Sequence, residues 1–544
     1  DYAYVIGEFS DWKRTDGYMM NWDETKGYWW YTFTDVDPSK EYLFQYHLGD
    51  SNQNIRVNDA YSEVVYDPWN DKYISSSTYP NLTPYPEQTK GLVSSFKIKK
   101  DNLSWVDYKI SDENSLVIYE MLFRDFTSSH DINGALEKLD YLEELGVGAV
   151  ELMPIQEFDG NESWGYNPNS YFALDKAYGT PFMYKTFINE CHKRGMAVIL
   201  DVVYNHATGS HPFAKMYWDS AANNVSSENP WFNVITPHGF GVFHDWNHQE
   251  PMVSEHVKRS LEYLMTEYHV DGFRFDLTKG FTNNTGKDSS YDQQRVDKLK
   301  EYGSFIKSIN PDAMVIFEHF VDVENYELGK SGFHMWGNNN NAYRNIVKGL
   351  SADLSYAYDE YCYRVSYMES HDEERLCYAA VTSNPEQEDP LELKMRRAGL
   401  AAAHFLTIPG PRMIWQFGEL GYDYSIEYNG SNVSPKPIKW DYLDIPSRKN
   451  LHDTYASIIK FRKNNPEFFT KGADFHNGKT HYGIYGEKAF LFIGNFDNST
   501  KTISAKFPTT GKWHNWSDTS EAYPEDTAEI LLKPGEFRLL VNFE

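Results

Sequence analysis

Eight short apolar runs recur between residues 116 and 417 with helix-length spacers between them, and this alternation leaves few architectures open. The runs are Leu116 to Met121, Val150 to Met153, Ala197 to Val203, Gly272 to Asp276, Met314 to Glu318, Phe333 to Trp336, Arg364 to Met368 and Arg412 to Phe417. Amphipathic stretches such as Gly134 to Leu145 and Ser254 to Tyr268 lie between them, and Leu451 to Asn464 reads as the last helix. Eight strand-helix units predict a closed (β/α)8 TIM barrel, which takes ~250 residues. The segment here is longer, and its surplus includes Ala207 to Glu250, rich in Asn, His, Pro and Gly.

The flanks follow a different period. Residues 1–95 alternate apolar and polar positions in short runs (Tyr2 to Ile6, Tyr28 to Thr34, Tyr42 to Leu48), which predicts an N-terminal all-β sandwich. Residues 96–112 link it to a barrel domain spanning 113–466, with the insertion around 207–250. From 467 to 544 alternation returns in His481 to Tyr485, Ala489 to Phe496 and Phe537 to Phe543, predicting a C-terminal β-sandwich. The expected fold class is therefore multidomain α/β.

Several of the runs end in side chains able to do chemistry. In Asp271-Gly-Phe-Arg-Phe-Asp276, strand alternation puts Arg274 and Asp276 on one face, where a guanidinium can hold a carboxylate ionised. Others end in Asp201-Val-Val-Tyr-Asn205-His206, in Glu318-His319, and in Glu369-Ser-His371-Asp372. A single Asp or Glu closing a strand is most often a turn former or helix cap. In a parallel barrel, however, all strand C-termini share one face, and active sites form there.

These segments, read as DVVYNH (201–206), GFRFDLTKG (272–280), VIFEH (315–319) and ESHDEE (369–374), resemble the α-amylase superfamily of glycoside hydrolases in both residue type and order. VELMPIQEF (150–158) and WGYNPNSYFALDKAYGT (164–180) resemble further patterns of that family. Gly7-Glu-Phe-Ser-Asp-Trp12 and Tyr42-Leu-Phe-Gln-Tyr46 are similar to the glycogen-binding-type modules that precede isoamylase and branching-enzyme barrels. The resemblance implies retaining hydrolysis with Asp276 as nucleophile, Glu318 as acid/base and Asp372 as transition-state stabiliser.

The residues support the same division of labour. Acetal hydrolysis needs an acid for the leaving oxygen and a base or nucleophile opposite it. Asp276 beside Arg274 suits the ionised role, and Glu318, after the apolar Met314-Val-Ile-Phe, suits the protonated one. Asp372 beside His371 would stay ionised and stabilise positive charge. His206 and His371 are expected to donate to sugar hydroxyls, Tyr166 to stack on a sugar ring, and Lys279 to bind substrate. Arg274 fixes Asp276, Asp201 braces the site, and Tyr171 is core or supports its neighbours.

The resemblance also implies calcium, with Asn205 as a ligand. Against it stand Gly280 where the amylase motif has His, and an inserted loop with no obvious acidic ligand beyond Asp219 and Asp245.

Composition excludes more than it selects. With 79 acidic and 51 basic residues, a formal charge of -28 repels nucleic acid and anionic membranes, while a neutral glucan is indifferent to it. The longest apolar candidate for a membrane span, Gly399 to Trp415, is broken by His404, Pro409, Pro411 and Arg412. Cys191, Cys362 and Cys377 have neither disulfide-framework nor metal spacing and read as structural thiols. A chain starting at Asp1 reads as processed or truncated, and its expected location is secreted, periplasmic or cell-surface. Trp12, Trp29 and Trp30 are expected to pack rather than to form a sugar platform. The substrate expected is an α-glucan cut at α-1,4 bonds, with α-1,6 debranching second, glucan transfer third, and a non-catalytic glucan binder last. Oligomeric state is not legible.

Overall fold

The computed structural model describes residues 1–51, 53–383, 390–523 and 526–543. All eight apolar runs are barrel strands: β1 (Val117–Met121), β2 (Ala149–Leu152), β3 (Ala197–Val202), β4 (Gly272–Phe275), β5 (Met314–Phe317), β6 (His334–Asn338), β7 (Arg364–Tyr367) and β8 (Arg412–Trp415). Every neighbouring pair is parallel, and β8 pairs with β1 to close the ring.

Strand periodicity builds two cores and the site together. Outward positions such as Val198, Leu200, Phe273, Phe275, Val315 and Phe317 pack beneath the helices. Inward positions Ile118, Ala149, Ile199 and Ile316 form an apolar plug inside the barrel. Two residues on, the same inward rows carry Glu120, Glu151, Asp201 and Glu318. The barrel lumen is therefore apolar at its base and ionic at its C-terminal face.

Two helices differ in extent from expectation. Gly134 to Leu145 is two helices, Ile132–Leu136 and Leu139–Leu145, and the last helix begins earlier, at Pro446, where proline's missing N–H costs nothing. The inserted loop holds a short helix, Pro212–Met216, and a small sheet of His206–Ala207, His244–Trp246 and Phe232–Asn233.

The N-terminal domain is a five-stranded antiparallel sheet, with a separate hairpin of Asn21–Asp23 and Tyr28–Trp30. Trp12 is 3% exposed and packs with Leu43, Tyr66 and Val93, as expected of core. Trp30 departs from the packing expectation: its side of the hairpin faces solvent and it is 44% exposed, as is Trp22 at 49%. At the C-terminus a six-stranded sheet lies with a two-stranded one (Lys501–Lys506, Thr527–Leu532) around Ala489, Leu491, Trp513 and Leu540. The three cysteines are buried free thiols. Among the described residues no helix is long and apolar enough to cross a membrane.

Candidate active site

Arg274 is the hub of the ionic layer. Fully buried on β4, it donates from Nη1 to Asp201 (2.9 and 3.0 Å) and to Asp276 Oδ1 (3.0 Å), and its Nη2 lies 3.2 Å from Glu318 Oε2. One face of the guanidinium is covered by the Trp336 ring, 3.9 Å from its centroid. Asp276 and Glu318 both sit one residue beyond their strands. Past Asp276 the chain turns through a left-handed Leu277 (φ 49°), which aims the Leu277 N–H at Glu318 Oε2 (2.8 Å). The Thr278 hydroxyl and N–H both donate to the Glu318 carbonyl (2.9 and 3.0 Å). The two carboxylates are thus fixed relative to each other by local backbone as well as by the shared arginine.

Electrostatics correct one expectation. Arg274 does not by itself keep Asp276 ionised, because Asp201 and Glu318 share the same positive charge. Burial and the adjacent Glu318 carboxylate push the Asp276 carboxyl well above the usual carboxylate range, with Arg274 opposing. Asp276 therefore holds its proton more tightly than an ordinary carboxyl does. Asp201 is raised to about 6 by burial, against Arg274 and His371.

On the opposite side, His371 Nδ1 lies 2.6 Å from Glu120 Oε1 and its Nε2 3.5 Å from Asp372 Oδ1. Burial alone would lower this imidazole, yet Asp372 and Glu120 together push it up to about 10, so it is an imidazolium at neutral pH. Asp372 is the open member of the group, its side chain 46% exposed. Tyr166 is half-buried, stacks on His371 (centroids 5.1 Å apart) and donates its hydroxyl to Asp201 Oδ2 (2.5 Å). Trp164 meets the His371 ring edge-on at 5.3 Å.

Asp201, Tyr166, Arg274, Asp276, Glu318, His371 and Asp372 therefore converge at one end of the barrel. His206 stands differently from expectation. It is 2% exposed, its Nε2 is 2.8 Å from the Tyr166 carbonyl and its Nδ1 3.2 Å from Asn205, so it props the backbone of Tyr166 instead of facing a sugar. Burial lowers it to about 4, keeping it neutral. Tyr171 takes the supporting role, donating to the His206 carbonyl (2.7 Å) and accepting from Trp246 (2.8 Å). Lys279 is half-buried with its ammonium 4.2 Å from the centre of the Phe240 ring.

Sequence reasoning missed Glu120, Glu373 and Trp336. Glu120 reads as a polar interruption of an apolar strand, Val-Ile-Tyr-Glu-Met, and that interruption was the available signal. Glu373, next to Asp372, accepts from Asn338 (2.5 Å) and Tyr367 (3.3 Å) and is raised to about 7, chiefly by burial.

The donors do not fit calcium. Asn205 Oδ1 is buried without a hydrogen-bond partner, but Asp245 is already engaged by His238 (2.9 Å) and Asn233 (2.8 Å). A Cβ on Gly280 would stand 2.0 Å from Asn205 Oδ1 and 2.7 Å from His238 Nε2, so the space beside the amide is filled by backbone and imidazole. One free amide oxygen does not approach the ~6–8 oxygens calcium takes. Among the described residues no group of three or more His, Cys, Asp or Glu side chains is arranged to hold a metal.

Residues 111–242 match the model of the alpha amylase catalytic domain. The chain is 35% identical over 240 residues to malto-oligosyltrehalose trehalohydrolase of Saccharolobus solfataricus, covering 43% of this chain and 39% of that one. It is 32% identical over 255 residues to chloroplastic isoamylase 1 of Oryza sativa subsp. japonica, covering 41% and 31%. The match thus spans well under half the length of these curated relatives. Among solved structures, the pullulanase of Anoxybacillus sp. LM18-11 complexed with maltotetraose superposes with a TM-score of 0.74 at 19% identity, over 100% of this chain and 84% of that one.

Proposed function

We propose, from a barrel that belongs to the α-amylase family, that this chain is a retaining glycoside hydrolase of α-glucans, cleaving α-1,4-glucosidic bonds. The observation that carries the reading is the placement of Asp276 and Glu318 on the two ends of one guanidinium, with Asp372, in the loop after β7, near enough to act on Asp276. Retention requires the two carboxyl groups to stand about 5–5.5 Å apart, and their shared arginine is what would hold them close.

In the first step an Asp276 oxygen bonds to the anomeric carbon while the glycosidic C–O bond breaks, and Glu318 passes its proton to the departing oxygen. Positive charge growing at the anomeric carbon favours ionisation of Asp276, the carboxyl beside it. In the second step Glu318 takes a proton from water, whose oxygen bonds to the anomeric carbon and releases Asp276. The Asp372 carboxylate stabilises the charge in both, and Tyr166 offers the apolar face of a ring to the sugar.

A second reading, α-1,6 debranching, is favoured by the isoamylase among the relatives and by the pullulanase whose layout extends over the whole chain. Product analysis on amylose, pullulan and amylopectin with end-labelled malto-oligosaccharides separates them. Short linear products from amylose support α-1,4 cleavage; maltotriose from pullulan with amylose intact supports debranching. Loss of neither polymer's chain length would overturn the hydrolase reading.

A further inference from the structure

Tyr166 does not sit on a strand. It lies at the tip of a loop, residues 155–176, whose two arms pair with each other through the bridges Gln156 to Leu174 and Phe158 to Pro168 and the bonds Glu157 N–H to Ala173 O (2.9 Å) and Asn169 N–H to Glu157 O (2.9 Å). Such an arm is rigid along its length, and its side contacts fix where the tip stands.

The barrel side holds the loop through His206 to the Tyr166 carbonyl and Tyr171 to the His206 carbonyl, and a second set of anchors comes from the N-terminal domain. At the base of the arm, Lys176 is a buried ammonium that pairs with Glu157 on the opposite side of the loop and with Asp71 of the N-terminal domain (3.3 Å). All three side chains are no more than 7% exposed. The second Asp71 oxygen accepts from the Asp67 N–H (2.9 Å), fixing the carboxylate within its own domain. Midway, Ala173 packs on Val65 and Leu92, and the Phe172 ring meets Tyr61 at 5.0 Å. Near the tip, the Asn161 amide donates to the Asn70 carbonyl (2.8 Å). The adjoining pair Asn70 and Asp71 therefore holds the loop at both ends.

We infer that the Asn70–Asp71 corner of the N-terminal domain is a positioning element of the active site, setting the distance of the Tyr166 ring from Asp201 and His371 through the Asp71–Lys176–Glu157 chain and the Asn161 bond. A salt bridge this deeply buried is a poor source of stability but a strict specifier of geometry, because either charge left alone in the interior is expensive. The N-terminal domain so acts on the bound sugar without touching it. The inference rests on the glucan-hydrolase reading, since it takes Tyr166 to face the sugar.

The test uses Asp71→Asn and Asn161→Ala in the full chain, assayed on a short malto-oligosaccharide too small to reach the N-terminal domain. Each is expected to raise KM about tenfold with kcat within about twofold, because ring contact made equally in ground and transition states appears in KM. In a Tyr166→Ala background neither should add anything, since the ring they position is gone. Asn161→Ala removes only a half-buried amide and keeps the test valid if Asp71→Asn folds poorly. Unchanged KM in Asn161→Ala, or effects that add fully to Tyr166→Ala, would overturn the inference. Absence of turnover by the unmodified chain on any α-glucan would instead sink the hydrolase reading, so the two failures are distinct.

Discussion

Asp276 works against the stability of its own fold. Its carboxyl is raised in the folded chain, whereas an unfolded Asp titrates near ~3.9. As pH rises past ~4 the unfolded state ionises first, so the folded state loses ground until its own carboxyl ionises. Asp276→Asn should therefore lower kcat by about 10³-fold or more while raising the neutral-pH Tm by roughly 1–3 °C, measured on the same preparation. A variant that kept activity within about tenfold of the parent would remove Asp276 from the chemistry. His371 runs the opposite way. Its raised pKa of about 10 gives stability that is complete below the unfolded value of ~6.5 and is lost as pH climbs through 10. Glu120→Gln deletes one of the two carboxylates responsible, so the alkaline limb of kcat/KM should move down in pH; an unmoved limb would show that His371 is not the group titrating. That Arg274, Asp276 and Glu318 come together was legible because strand alternation is local: Arg274 lies on β4 and the two carboxylates one residue past their strands. Glu120 was not, since its partner His371 is 251 residues away and only ring closure brings them together.

Strands and helices were legible for a related reason. The eight barrel strands are buried on both faces, so their apolar runs are nearly continuous and bounded by polar turns. Where expectation and structure part, a side chain's surroundings decide. Trp29 and Trp30 read alike in sequence, but successive residues on a strand face opposite sides: Trp29 pairs with Trp22 across the hairpin (ring centroids 5.4 Å apart), while Trp30 emerges on the other face, and Trp22 and Trp30 are both exposed. That exposure favours a sugar-facing role for the hairpin over the packing role expected. Replacing Trp22 and Trp30 together with Ala should cut retention on insoluble starch about tenfold, ~1.4 kcal/mol, and leave turnover of short oligosaccharides unchanged. Equal retention would return the hairpin to a merely solvated edge. The inserted loop makes a second prediction. With His238 bonded to Asp245 and Gly280 against Asn205, the loop is held by direct hydrogen bonds, so EDTA should leave Tm unchanged within about 1 °C. A clear fall in Tm restored by calcium would refute this.

At the scale of the whole molecule the three domains are not independent beads. The N-terminal sheet shares Val65 and Leu92 with the loop residue Ala173, so removing residues 1–95 bares apolar surface on the barrel and strips the support from Tyr166. The truncated chain should lose several degrees of Tm and, with it, turnover of even the smallest substrates; an active, equally stable barrel would show the domain to be an accessory. This dependence was not legible beforehand, because Asp71 and Lys176 carry no mark in sequence that they meet. The closure of the barrel has a consequence for how the chain is made. The Tyr119 hydroxyl on β1 bonds to Glu419 just after β8, residues 300 apart, so the first barrel strand to leave a ribosome has no second neighbour until the eighth arrives. For most of synthesis β1 presents a bare edge rich in Val, Ile and Tyr, at ~5–20 residues per second a wait of tens of seconds. The N-terminal sheet, complete by residue 96, can fold during that wait, so Val65 and Leu92 are already in place when Ala173 emerges to pack on them.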